Sequence, residues 1–334
     1  MRRLMAALAA GTVLLTGCGA DEPGTSEQPP DEIIPATPAV APARGAVPAG
    51  TTTPLPGKAT AITLDETTRT LVTALREPAR LLLHNVDDLT APPREIPLPG
   101  PVDQLSLVDG KLLAPVRANG KLLRITLPDA TVQSTDLDGG PLGATQVDGR
   151  TVVALRDPGK GIAVLDATGK LERTIPGSFR GVSTVLPAGK KVVVLDELRT
   201  AVYEVDPATG QLGAGLRAGD AATRAVTDKY GRILVVDTRA GEYLAFSTNP
   251  LIMRQRFPVP GAPYGLAYDH ARDLAWITLT ERDEVVAYNI AGGEPMEKYR
   301  FPTVHQPNSV TVDPKSGRVL IASADGGGVQ VVQP

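Results

Sequence analysis

The chain has 334 residues, with 34 Lys and Arg against 37 Asp and Glu, and a net charge of −3. That balance excludes a broadly basic nucleic-acid binder and supplies no polybasic membrane patch, while 42% apolar residues exclude global disorder. One cysteine excludes an internal disulfide and a Cys-rich zinc site, three histidines leave little for a His-based one, and 34 Gly with 31 Pro imply many turns.

The first residues set the compartment. Arg2 and Arg3 form a charged start, and Leu4 to Leu15 is apolar apart from Gly11 and Thr12. This run is too short to span a bilayer as a helix, so residues 1–17 read as a signal peptide. It ends Leu15-Thr16-Gly17-Cys18, which resembles the bacterial lipobox. The resemblance implies cleavage before Cys18, a diacylglyceryl group on its thiol, and anchorage to the extracytoplasmic face of a cell membrane. The competing reading is an ordinary secretory signal with an incidental cysteine. Residues 18–50 carry Pro23, Pro29, Pro30, Pro35, Pro38, Pro42 and Pro48 with no apolar periodicity beyond Ile33-Ile34. Such a stretch is expected to be a disordered, semi-extended tether attached at the rim of the folded body.

From residue 51 onward the chain repeats at a spacing of about 40 residues, with restarts near Pro56-Gly57, Pro99-Gly100, Gly140, Gly177, Gly219, Gly261 and His305. Each unit has one grammar. An alternating strand such as Leu266-Ala267-Tyr268 is followed by a turn such as Asp313-Pro314-Lys315-Ser316-Gly317. Next comes a strongly apolar strand such as Val192-Val193-Val194-Leu195, a third strand such as Val285-Val286-Ala287-Tyr288, and a polar fourth such as Leu171-Glu172-Arg173-Thr174. Short alternating segments between turn residues mark an all-β protein, and four strands repeated seven times mark a seven-bladed β-propeller over 51–334. A β-sandwich or a pair of barrels would not keep so constant a period. The last unit stops after its third strand, and Thr53-Pro54-Leu55-Pro56-Gly57 mimics the fourth-strand ending Ile96-Pro97-Leu98-Pro99-Gly100. The N-terminal strand near 51–56 is therefore expected to complete the last blade.

Pro307-Asn308-Ser309-Val310-Thr311-Val312-Asp313-Pro314, followed by Gly317-Arg318-Val319-Leu320-Ile321-Ala322-Ser323, resembles the YVTN/NHL-type propeller repeat, and Pro263 to Asp269 matches its opening again. The resemblance implies the fold and no single activity, since such propellers include lactonases, oxidoreductase subunits and pure interaction modules.

In a propeller, the loops after second and fourth strands share the face around the channel. Blade by blade, the second strands are expected to end at Arg76, Arg117, Arg156, Asp196, Asp237, Thr280 and Ser323, a basic arc facing an acidic one. Arginine forks suit a carboxylate, a phosphate or an acidic peptide. In the competing reading these charges pair with neighbours such as Glu77, Asp157, Arg199 and Arg239. The starts of the first strands add Thr60, Asp103, Gly143, Gly181, Thr223, Tyr264 and Asn308, with Arg180, Arg224 and His305 beside them and Tyr264 a candidate to stack on a ligand. Asp103, Asn308 and Asp237 are oxygen donors of the type that holds calcium or another divalent cation, but Asp and Asn on such loops are commonly turn formers, so no cofactor is expected.

No Gly-x-Ser-x-Gly elbow, P-loop or His-Glu-x-x-His occurs, and of the histidines only His305 falls near this face. The expected protein is a lipid-anchored propeller, monomeric, without catalysis or nucleic acid. It binds a protein partner or a small polar or anionic ligand through Arg76, Arg117, Arg156, Asp196, Asp237, Tyr264 and Asn308. The alternative is a lactonase-type hydrolase at the channel mouth.

Overall fold

A computed structural model describes residues 34–42 and 46–334; Cys18 and the expected signal peptide lie outside the described residues. The repeat becomes seven four-stranded antiparallel sheets, each built from strands consecutive in the chain except the last. Blade 1 consists of Ala59–Asp65, Thr70–Leu75, Arg80–Asn85 and Arg94–Pro97. Blades 2 to 6 occupy 106–136, 141–175, 182–217, 222–258 and 263–302. Blade 7 takes three strands from Pro307–Val312, Val319–Ser323 and Val329–Val332 and its fourth from Thr51–Thr53. That strand runs antiparallel to the third, with Thr51 opposite Val331, Thr52 opposite Gln330 and Thr53 opposite Val329. The chain is thus a seven-bladed all-β propeller whose ring is closed by its own N-terminal strand.

Period-2 alternation explains the stacking. In blade 1, Val72, Ala74, Leu81 and Leu83 turn toward blade 2, while Leu71, Leu75 and Leu82 turn toward blade 7. Both faces of a blade are therefore buried, which is why the middle strands read as unbroken apolar runs. The described residues form seven apolar clusters, one at each seam between blades. Outer strands have one side in water, and Thr131–Asp136 and Leu212–Arg217 are correspondingly exposed. Trp276 is fully buried at the seam of blades 6 and 7, stacked against Tyr299 and Phe301. Phe179 is the first aromatic in the chain and fills the seam of blades 3 and 4.

On the face opposite the channel mouth, the turn aspartates Asp65, Asp228, Asp269 and Asp313 accept backbone N–H groups of their own turns. The one regular helical turn among the described residues is a 3₁₀ turn at Arg117–Asn119. No helix among the described residues is long and apolar enough to cross a membrane.

Residues 34–42, inside the stretch read as a tether, form a strap on the propeller. Arg239 donates to the Ile34 carbonyl at 3.1 Å, and the Ala39 N–H donates to Thr280 Oγ1 at 3.0 Å. Gln306 Nε2 donates to the Ala39 carbonyl at 2.9 Å, and Ala41 is buried. The chain reaches the rim at Ala49, which pairs with Pro302 and Gln330 before the closing strand begins. Attachment is therefore not at the rim alone: the strap continues across the loop face.

Candidate functional site

The register of the blades defines the ring around the mouth. The last paired residues of six second strands are Leu75, Leu155, Asp196, Asp237, Leu279 and Ser323, opposite Ala59, Pro141, Val182, Ala222, Pro263 and Pro307. The residue after each donates its N–H back across the strand start. These pairs are Arg76 to Lys58, Arg156 to Gly140, Glu197 to Gly181, Thr238 to Ala221, Thr280 to Ala262 and Ala324 to Gln306. The structural counterparts of Arg76 and Arg156 in blades 4, 5 and 7 are thus Glu197, Thr238 and Ala324. Asp196, Asp237 and Ser323 lie one residue earlier, and a one-residue slip in a strand points a side chain to the opposite face.

This corrects the expected acidic arc. Asp196 and Asp237 are fully buried, each folded back onto the backbone of its own loops. The Asp196 carboxylate accepts the N–H groups of Arg180, Gly181 and Arg199. Asp237 accepts those of Asp220, Ala221 and Ala240 in the same way. Gly219 is adapted to this arrangement: with φ of +77° it occupies the left-handed region, and a Cβ there would collide with the Asp237 carboxylate. Ser323 does the equivalent work in blade 7, accepting from Asp325 and Gly327.

The three arginines are real members of the ring, and each reaches the following blade. Arg76 pairs with Asp103 at 3.2 Å and Arg117 with Asp157 at 3.4 Å, all four side chains roughly half exposed. Arg156 is different. It is nearly buried, donates to the Gly181 carbonyl at 2.7 Å and meets Glu197 Oε2 at 3.2 Å. Glu197 in turn faces Arg224 across 3.8 Å. Burial pushes the Glu197 carboxyl above its ordinary range, and the two guanidinium groups oppose that shift. Arg224 lies over the Tyr264 ring, 4.9 Å from its centroid, and donates to the Tyr264 hydroxyl at 3.3 Å. Tyr264 therefore supports an arginine here.

The starts of the first strands carry a bulge in six blades, between residues 59/61, 141/143, 182/184, 222/224, 263/266 and 307/309. The bulge residues include Thr60, Thr223, Tyr264 and Asn308 as expected, but Leu142 and Ser183 where Gly143 and Gly181 were aligned. The first strands enclose an axial cavity of about 280 Å³. Its walls near the loop face include Thr60, Asp103, Gln104, Thr184, Arg224 and Asn308; farther along the strands they become Ile62, Leu186, Val226 and Val310. Gln104 Nε2 and Asn308 Oδ1 are buried there without a protein partner. Arg117 instead borders a separate hollow between blades 2 and 3, beside Asp138 and Asp157. Asp103 and Asn308 share the axial cavity and Asp237 does not, so the three expected cation donors do not converge. Among the described residues no three His, Cys, Asp or Glu side chains are grouped to hold a metal.

His305 Nδ1 lies 2.7 Å from Asp283 Oδ2, and Asp283 Oδ1 accepts the Gln306 N–H. Sequence reading placed Arg224 beside the first-strand ring without its partners, and missed Gln104, Thr184, Glu197 and Asp283. The signal for Glu197 was the apolar slot occupied by Leu75, Leu155 and Leu279, which Asp196 fills in blade 4.

No family model matches the sequence, and no curated protein matches it. Solved structures share the fold. Hydrazine synthase of Kuenenia stuttgartiensis superposes with a TM-score of 0.70 at 16% identity, covering 85% of this chain and 97% of that one. A catalytically inactive virginiamycin B lyase from Staphylococcus aureus with quinupristin gives 0.70 at 14% identity, covering 84% and 97%. The β-propeller domain of Cps50 (Swd1) from Myceliophteria thermophila gives 0.71 at 12%, covering 85% and 99%. At such identities the likeness defines a class, the seven-bladed β-propeller, and carries no activity with it.

Proposed function

We propose that this propeller is a binding module, held on the extracytoplasmic face of a cell membrane through Cys18, that captures a small polar ligand in its axial cavity without chemistry of its own. The observation that carries the reading is the cavity itself. It is polar at the loop face, and Gln104 Nε2 and Asn308 Oδ1 are buried there without protein partners. Buried polar groups are ordinarily paired, so an occupant that pairs them gains what the empty site lacks. The resemblance of Leu15 to Cys18 to a lipobox supports the anchor. Native mass spectrometry of the full chain exposed to a small-molecule extract of its source cells tests the ligand. Ser309→Phe, which fills the cavity, is expected to lose the captured mass; identical spectra for both proteins would overturn the reading. Incorporation of labelled palmitate, abolished by Cys18→Ser, tests the anchor.

A second reading, a lactonase-type hydrolase, is favoured by the contact between His305 and Asp283. A buried carboxylate that orients an imidazole is the arrangement of a general base. It requires turnover of a lactone by the wild type and its loss in His305→Asn.

A further inference from the structure

We infer that the loop-face end of the axial cavity is a carboxylate site built on Arg224, whose occupant is a small organic monocarboxylate with its apolar body directed down the channel. The inference rests on the binding reading above and names its ligand class.

The donors come first. A guanidinium has five N–H groups. In Arg224 one donates to the Thr223 carbonyl at 3.2 Å and one to the Tyr264 hydroxyl at 3.3 Å. The Glu197 oxygen, 3.8 Å away, is a charge contact beyond hydrogen-bond range. The side chain retains 24% exposure and lines the cavity. Three N–H groups, one on Nε and one on each terminal nitrogen, remain for a carboxylate.

Charge points the same way. Glu197 is shared between Arg156 at 3.2 Å and Arg224 at 3.8 Å, so neither guanidinium has that carboxylate to itself. A poorly solvated charge is costly until an opposite one arrives. Gln104 adds an independent donor. Its Oε1 already accepts from Thr184 Oγ1 at 3.3 Å, which orients the amide and leaves Nε2 buried and unfilled. At Gly143 a Cβ would collide first with the Ser183 carbonyl, 2.3 Å away, and would also press on Gln104 Oε1 at 3.0 Å.

Beyond this polar end the wall is Ile62, Leu186, Val226 and Val310, which suits an apolar body. A volume of about 280 Å³ equals about nine waters at roughly 30 Å³ each, room for a small acid and not for a folded peptide.

Isothermal titration of the full chain with hexanoate, hexanamide, hexylamine and inorganic phosphate tests the assignment. Hexanoate is expected to bind at least tenfold tighter than its amide or amine, and tighter than phosphate, which has no apolar body. Arg224→Gln is expected to weaken hexanoate at least tenfold, with Arg224→Lys intermediate because it keeps the charge and loses the fork. Gln104→Leu, expected to weaken hexanoate severalfold, carries the test if Arg224→Gln fails to fold. Hexanamide binding as tightly as hexanoate, phosphate binding tighter, or a folded wild type that ignores hexanoate would each overturn the carboxylate class. The binding reading fails separately, when Ser309→Phe leaves every captured mass in place.

Discussion

Arg69 of blade 1 and Asp313 of blade 7 are joined by two parallel bonds of 2.7 Å across the seam where the ring closes. Asp313 is fully buried, and Arg318 and Ser316 also donate to it, so its carboxyl is held far below the usual carboxylate range, chiefly by Arg69. The closing strand fastens the rim and this pair fastens the opposite face. Asp313→Ala is expected to cost about 3 kcal/mol in urea unfolding, because it leaves a guanidinium that is only 17% exposed short of its buried partner. The sign with pH follows from the depressed value. The contribution is complete above the ordinary carboxylate range and is lost as pH falls through the folded value, so wild type and variant converge in strong acid. A difference that persists there would refute the ion-pair account.

His84 lies in the third strand of blade 1, buried, with Nδ1 lacking a partner. Burial lowers its pKa below the ordinary 6.5. The unfolded chain therefore takes up a proton as pH drops through 6.5 while the folded chain resists it, and stability falls by up to about 1.4 kcal/mol per pH unit. His84→Leu is expected to flatten the decline in thermal midpoint between pH 7 and 5. An unchanged slope would show that other groups carry it.

The three ring arginines separate on charge reversal. Arg76→Glu and Arg117→Glu are expected to shift stability by less than about 1 kcal/mol, since both pairs are solvated. Arg156→Glu places a carboxylate against Glu197 in a nearly dry site and is expected to cost about 3 to 5 kcal/mol. Equal losses for all three, measured by denaturant midpoint, would contradict the burial difference.

The strap depends on few bonds. Thr280→Val removes the acceptor of the Ala39 N–H. Exchange of that amide is expected to quicken about tenfold, the scale of one lost hydrogen bond, with little change in the global midpoint. An amide as slow as in the wild type would mean that Ala41 and Gln306 hold the strap without Thr280.

The blades and the closing strand were legible because each is repeated: seven copies of one pattern average out local ambiguity, and Thr53 to Gly57 repeats the ending at Ile96 to Gly100. The ring was legible only in blades 1 to 3 and 6, where an apolar residue, Leu75, Val116, Leu155 or Leu279, precedes the ring position. In blades 4 and 5 that slot holds Asp196 and Asp237, and an aspartate at the end of an apolar run reads as exposed. What buries it is a cluster of three backbone N–H groups from two loops, contacts that no periodicity encodes. Arg224 could be placed beside the ring but its role could not be read, for a related reason: its neighbours Glu197 and Tyr264 come from the blades on either side, so the cluster exists only after the ring has formed.

Because the chain joins the disc by way of Ile34 and Ala39, whatever holds the polypeptide upstream pulls on the side where the cavity opens. Such a pull loads the bonds of the Ala39 strap with Thr280 and Gln306 before it reaches the closing strand.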